Sequence, residues 1–339
     1  MATEIKILTE RRKFKMVPKG KEMGGVAQFH RIEVALLEEG VLWFDLYLFD
    51  RERGELIPYM DTGLNFSRRM KEELLEQGIE ILYVPTRDGK ALDDYVESRL
   101  PRVLKSNIPS DRKLELVYNS AKSIMEETFA GYSDEKNIQR AKKIVSGIVD
   151  LFITEKEALK SIISLTIHDY YTYAHSLHVC LYGTATALRV YPRKRRDKIK
   201  RISFGLLMHD IGKTKVDPAI LKKPGTLTEE EWREIRKHPW WGYRILEDMR
   251  ELTPDVAKIV LHHHERVNGS GYPSGLKGFE MGMPARICAF ADVFDAMTTN
   301  RPFQKGMPAY DVLTYIRDRM KCLHDQKLFE VFVKLFMDK

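Results

Sequence analysis

Ile202-Ser203-Phe204-Gly205-Leu206-Leu207-Met208-His209-Asp210-Ile211-Gly212-Lys213 is the stretch that decides the fold. As a helix, the run up to Met208 is apolar on nearly every side and must be buried. A carboxylate at its end then needs a partner, because burying an unpaired charge costs on the order of several kcal/mol. A metal ion is one such partner. Adjacent His209 and Asp210 offer one imidazole nitrogen and two carboxylate oxygens, and a carboxylate can bridge two cations about 3.5–4 Å apart. Lys213, three residues past Asp210, falls on the same side if helical geometry persists, within reach of a phosphate brought to the metals. By itself the dipeptide fits equally well a buried, hydrogen-bonded histidine followed by a helix-end carboxylate.

The neighbourhood shifts that balance. Eight of the ten histidines fall between His168 and His264. Histidine is the commonest metal-ligating side chain, so such clustering favours a metal site. The candidates sit in separate helical segments: His175 in Thr172-Tyr-Ala-His175, His238 in Lys237-His238-Pro239, and His263 and His264 after Ala257-Lys-Ile-Val-Leu-His262. Asp292 lies among the apolar residues of Arg286-Ile-Cys-Ala-Phe-Ala-Asp292-Val-Phe-Asp-Ala.

Around this region the chain divides by texture. Its 339 residues allow two or three domains, and 43% apolar with 31% charged residues is ordinary for a soluble globular protein. No run of about 18 apolar residues occurs and the amino terminus lacks a signal-peptide core, so a cytoplasmic protein without a transmembrane segment is expected. Three scattered cysteines, Cys180, Cys288 and Cys322, argue against a disulfide framework and against a thiolate metal site. The net charge of +7 has its clearest local source in Arg193-Lys-Arg-Arg196 with Lys198, Lys200 and Arg201. No aromatic residues interleave it, so it reads as the solvated start of a helix and not as a nucleic-acid surface.

Residues 1–25 read as a mobile basic arm. Residues 26–105 read as a small α+β domain, with strands over Ile32–Leu37, Val41–Phe49, Glu55–Tyr59 and Ile79–Val84. A helix over Ser67–Gln77 is stopped by Gly78. This domain carries no catalytic motif; it offers a surface for a protein partner or for pairing of two copies. Residues 106–165 show helical periodicity and are read as bridging helices, with Ser133 or Asp134 capping the second. Residues 166–339 form the site-bearing helical domain. The fold class is therefore mainly α: a helical metal-binding bundle preceded by a small α+β domain.

Several motifs in this order resemble the HD-GYP family, cyclic di-GMP phosphodiesterases within the HD phosphohydrolase superfamily. They are His209-Asp210-Ile-Gly-Lys213, Ile220-Leu-Lys-Lys-Pro-Gly-Thr-Leu227, Lys237-His-Pro239, His263-His264-Glu265-Arg266-Val-Asn-Gly-Ser-Gly271-Tyr272-Pro273, and Ala291-Asp292-Val-Phe-Asp-Ala296 with Arg301-Pro302. The resemblance implies His175, His209, Asp210, His238, His263, His264 and Asp292 as metal ligands, with Asp210 bridging and His262 supernumerary. Imidazole and carboxylate without thiolate suit iron first and manganese second. Relatives with a third metal have Glu where Tyr171 stands, so two divalent ions are expected.

The implied reaction is metal-dependent hydrolysis of cyclic di-GMP by a metal-bridging hydroxide, with the linear dinucleotide or GMP as the end product. Asp210 and Lys213 are its catalytic candidates. Lys213 and Arg301 would hold phosphate, and the loop bearing Asn268, Gly271, Tyr272 and Pro273 would line the substrate site. Four positions depart from the family pattern: His178 for Arg, Asn268 for Asp, and Phe303-Gln304 for Tyr followed by a basic residue. None is a metal ligand. They keep open an alternative reading, a weakly active or inactive cyclic di-GMP-binding signalling module with an intact metal site. A further alternative is an HD phosphohydrolase acting on another nucleotide.

Overall fold

The structure, a computed structural model, describes residues 28–50, 53–130, 134–166, 172–300 and 305–337. The expected arm at 1–25, and also Tyr171, Arg301, Phe303 and Gln304, lie outside the described residues. The chain divides into two compact units, Met1–Ile108 and Pro109–Lys339.

The first unit holds strands Phe29–Glu33 (β1), Gly40–Val41 (β2), Leu46–Asp50 (β3), Glu55–Met60 (β4), Asn65–Phe66 (β5) and Ile81–Pro85 (β6). Its helices are Arg68–Glu76 (α1), Gly89–Ser98 (α2) and Leu100–Lys105 (α3). An antiparallel sheet has the order β1-β6-β3-β4, and β2 pairs separately with β5. Ile32, Leu46, Phe66, Leu82 and Val84 fill its core. Ser67 caps α1 by accepting the Met70 N–H, and Gly78 ends it in the left-handed region at φ 72°.

Two expected strands are shorter than the sequence suggests. The run Ile32–Leu37 leaves the sheet after Glu33 and turns as a 3-10 segment over Val34–Leu36, its Val34 N–H bonded to the Glu80 carbonyl. Val41–Phe49 is interrupted at Asp45, whose carboxylate accepts the Thr62 N–H while its own N–H bonds Asp88. Side-chain bonds of this kind draw the backbone out of a ladder.

The second unit is helical: Ser110–Phe129 (α4), Glu135–Thr154 (α5), Lys156–Lys160 (α6), Ile162–Thr166 (α7), Thr172–Val190 (α8), Arg196–Met208 (α9), Pro218–Leu221 (α10), Glu229–Ile235 (α11), His238–Asp248 (α12), Pro254–His262 (α13), Gly282–Thr298 (α14), Ala309–Arg319 (α15) and Gln326–Met337 (α16). Asp134 caps α5 through the Asn137 N–H. Helix α8 packs against α4, α9 and α14; α9 also meets α5 and α13; α12 meets α13. The helices expected to bridge two domains therefore pack on the site-bearing ones within a single unit.

Helices α8, α9 and α14 are buried on most of their surfaces, as the apolar run before His209 requires. Each fully buried Leu, Ile or Phe there contributes roughly 1.5–3 kcal/mol, enough to carry a few buried polar groups if these find partners. The basic run opens α9 after a 3-10 turn at Arg193–Arg195; Arg196 and Lys200 pair with Asp150, and Lys198 and Arg201 with Asp255. Its charges are largely committed to neighbouring helices. Cys180, Cys288 and Cys322 are free thiols.

Candidate metal centre

Five segments deliver the seven expected ligands to one place. His175 comes from α8, His209 and Asp210 from the end of α9, and His238 is the first residue of α12. His263 and His264 follow the last turn of α13, and Asp292 stands within α14. Gly212 makes the closest approach possible. A Cβ on it would lie 1.9 Å from the His238 carbonyl oxygen and 2.5 Å from the Gly242 nitrogen, so only glycine lets the 3-10 segment Ile211–Lys215 touch α12 there.

Asp210 sits at the centre with its two oxygens facing different partners. Oδ1 is 3.3 Å from His238 Nε2 and 3.6 Å from His263 Nε2; Oδ2 is 3.4 Å from His209 Nε2 and 3.8 Å from His175 Nε2. His175 Nε2 is also 3.1 Å from Asp292 Oδ1, and Asp292 Oδ2 is 3.7 Å from His264 Nδ1. Two groups result, Asp210 with His238, His263 and His264, and His175 with His209 and Asp292. Within each, one ligand atom per residue lies within 4.8 Å of all the others.

The backbone fixes which ring nitrogens face inward. Nδ1 of His209 bonds the Leu206 carbonyl at 2.8 Å, that of His238 the Ile235 carbonyl at 2.7 Å, and that of His263 the Val260 carbonyl at 3.0 Å. A carbonyl only accepts, so each Nδ1 carries a proton and each ring turns its Nε2 inward. His238 Nε2 and His263 Nε2 are 3.1 Å apart. His209 Nε2 and Asp210 Oδ1 are buried with no hydrogen-bond partner among the described residues. Inward-facing Nε2 atoms, buried polar atoms without a partner and two carboxylates make a donor set that fits divalent cations.

The electrostatics agree with that chemistry. Burial pushes the His263 imidazole down to about 4, helped by His209 and His238 against the pull of Asp210, and burial with His263 beside it holds His264 well below its ordinary value. Burial works to raise Asp210 and Asp292. Even so, Lys213 and His209 hold Asp210, and His175 and His264 hold Asp292, well below the usual carboxylate range. His175 goes the other way: burial opposes its charge, but hydrogen bonds to Asp292 and Asp295 carry it up to about 10.

Lys213 donates to Asp210 Oδ2, so the expected shared side is present. Tyr272 stacks on His264, ring centroids 4.7 Å apart at 26°, and the Arg236 guanidinium lies 5.6 Å from the Tyr272 ring centre. Gly271 is held against the backbone of the histidine segment: a Cβ there would meet Glu265 Cα at 2.4 Å and the His264 carbonyl at 2.5 Å. Pro273 and Asn268 are exposed, and the Asn268 side-chain oxygen accepts the N–H and hydroxyl of Ser270, which closes the turn. His262 is half-buried and belongs to neither group.

Sequence reasoning assigns no role to Glu265 or Asp295 and gives His178 only as a departure from the family pattern. Glu265 is fully buried and accepts the N–H groups of Ser274 and Leu276, which pins the glycine-rich loop beside His264. Asp295 accepts Nδ1–H of His175 at 2.6 Å and of His178 at 2.8 Å, while His178 Nε2 meets the Tyr118 hydroxyl at 2.8 Å. A carboxylate behind a metal-binding histidine is a common orienting device. The spacing of Asp295, three residues past Asp292 on one helix, was the available signal.

Residues 158–328, just over half of the chain, match the HD domain family. The chain is 30% identical over 277 residues to the cyclic di-GMP phosphodiesterase PA4108 of Pseudomonas aeruginosa, covering 78% of this chain and 66% of that protein. It is 36% identical over 139 residues to the cyclic di-GMP phosphodiesterase response regulator RpfG of Xanthomonas campestris pv. campestris, covering 41% and 37%. It is also 36% identical over 166 residues to 3'3'-cGAMP-specific phosphodiesterase 3 of Vibrio cholerae, covering 48% and 35%. The chain thus spans less than two thirds of the length of these relatives. Among solved structures, Bd1817, an HDG"Y"P protein from Bdellovibrio bacteriovorus, shares the fold with a TM-score of 0.63 and 19% identity over 91% of this chain and 99% of that one. The chain belongs to the HD domain family, and its motifs place it with the HD-GYP proteins.

Proposed function

We propose that this chain is a metal-dependent phosphodiesterase that hydrolyses cyclic di-GMP, opening the ring to the linear dinucleotide, with the linear dinucleotide or GMP as the final product. One observation carries the reading: the two oxygens of Asp210 face two separate ligand groups, as a carboxylate shared by two ions requires. The names borne by PA4108 and RpfG support the substrate. His238, His263 and His264 would hold one ion and His175, His209 and Asp292 the other, with Asp210 between them. Iron is the first candidate and manganese the second, since every donor is an imidazole or a carboxylate.

Bound divalent ions supply water with a pKa lowered towards neutrality and offset charge on phosphoryl oxygens. The remaining work falls to side chains. Lys213 lies beside Asp210 with an ammonium for a phosphate oxygen. Tyr272, stacked on His264 and faced by Arg236, offers a flat edge for a base or ribose next to the ions.

The test is purified protein, analysed for metal, incubated anaerobically with cyclic di-GMP, 3'3'-cGAMP and cyclic di-AMP, with products separated by chromatography. Close to two ions per chain and fastest loss of cyclic di-GMP are expected. Asp210→Asn should lower metal content and abolish turnover. A preference for 3'3'-cGAMP would reassign the substrate, and metal-loaded protein that binds cyclic di-GMP without product over hours would make the chain a binding module.

A further inference from the structure

Behind the metal centre runs a buried chain of polar side chains, Tyr118–His178–Asp295–His175, that begins on α4. Tyr118 is 3% exposed, His178 0% and Asp295 1%. An apolar trio would fill this space without needing partners, whereas a buried carboxylate and imidazole are stable only when bonded. The bonds fix where each proton lies. Asp295 accepts from His175 Nδ1, His178 Nδ1 and the Thr299 hydroxyl, the last at 2.8 Å, and accepting all three requires the ionised carboxylate. Both Nδ1 atoms therefore carry protons. That leaves Nε2 of His178 facing the Tyr118 hydroxyl, and turns Nε2 of His175 towards Asp292 and Asp210, where a bound ion would take the place of the proton now shared with Asp292. The Tyr118 and His178 rings lie nearly parallel, 18° apart, so both are fixed.

We propose that Tyr118 and His178 are positioning residues which, through Asp295, hold the His175 ring in its ligating orientation and so set the affinity of the ion on the His175–His209–Asp292 side. This rests on reading those residues as metal ligands. It follows that the two ions are unequal partners of the fold. The His238–His263–His264 group is oriented by backbone carbonyls or ring packing, while His175 depends on a side-chain relay reaching into α4. Helix α4 begins at Ser110, next to the end of the first unit, so a change in α4 has a direct route of three hydrogen bonds to one ion.

The experiment is Mn(II) titration of the metal-free, full-length chain by calorimetry, with the melting temperature of each metal-free variant alongside. Wild type should show two classes of site. Tyr118→Phe should weaken one class several-fold to about tenfold, and His178→Leu or Asp295→Asn by about 10–100-fold, the usual effect of losing such an outer partner. His178→Asn, whose amide nitrogen can take the place of Nδ1 and still donate to Asp295, should fall between wild type and His178→Leu. The second class should be unchanged throughout. Equal weakening of both classes, or a lower melting temperature with unchanged Mn(II) affinity, would make the chain merely structural and overturn the proposal. Wild type that takes up no Mn(II), or whose uptake survives Asp292→Asn unaltered, would instead refute the ligand assignment beneath it.

Discussion

Lys213 donates to Asp210 Oδ2, the oxygen that also faces His209 and His175. An ammonium in that position repels a divalent cation while offering a charged donor to a phosphate. The two effects pull metal affinity and substrate affinity in opposite directions, which makes them separable. Lys213→Met keeps most of the unbranched side chain and removes the charge. Metal affinity should stay equal or rise, and kcat/KM for cyclic di-GMP should fall about 10–100-fold, the loss of one charge-assisted hydrogen bond worth roughly 1.5–3 kcal/mol. Elemental analysis and steady-state kinetics on the same preparation check both. If metal content falls together with turnover, Lys213 acts by holding Asp210 in place and not by meeting the phosphate.

The element that completes the site is the loop from Asn268 to Leu276, and its shape depends on one buried carboxylate. Glu265 holds the N–H groups of Ser274 and Leu276, while Gly271 lets the loop lie directly on the His264–Arg266 backbone. Glu265→Ala should free the loop and lift Tyr272 from His264. The expected outcome is a rise in KM, kcat/KM lower by about tenfold or more, unchanged metal content, and new cleavage between 268 and 276 in limited proteolysis. Unchanged cleavage with loss of metal would assign Glu265 to the ligands instead. This loop and the seven candidate positions that the structure brings together were legible in the sequence because each sits in locally distinctive surroundings, an apolar helix ending in His-Asp or a glycine-rich run after a histidine pair. The relay was not legible. His178 meets Asp295 117 residues away and Tyr118 60 residues away, and no local pattern announces either contact. Strand ends at Glu33 and Asp45 escaped for a related reason: side-chain and backbone bonds to distant residues overrode a continuous apolar run.

At the scale of the whole chain, all seven proposed ligands belong to the second unit, Pro109–Lys339, whereas the first unit has its own sheet, helices and buried core. On the proposed ligand set, metal binding and folding are linked in the second unit. Without ions, that unit must keep inward-facing imidazole lone pairs and two ionised carboxylates buried together, and a ligand that binds only the folded state adds RT ln(1 + [L]/Kd) to its stability. At free ion about one hundred times Kd this is roughly 2.7 kcal/mol for each of two ions, and for a unit of this size the pair corresponds to about 10–20 °C in melting temperature. Differential scanning calorimetry of the full chain, with and without chelator, should show two transitions of which only one moves by that amount. Asp210→Asn, measured with ions present, should place the mobile transition near its chelated position and leave the other untouched. Two transitions that move together would mean that the first unit also binds metal or unfolds cooperatively with the second. In the first case that unit would itself take part in holding ions, and a change in it would reach them without passing through α4; titration of metal content against a variant lacking Asp210 separates the two.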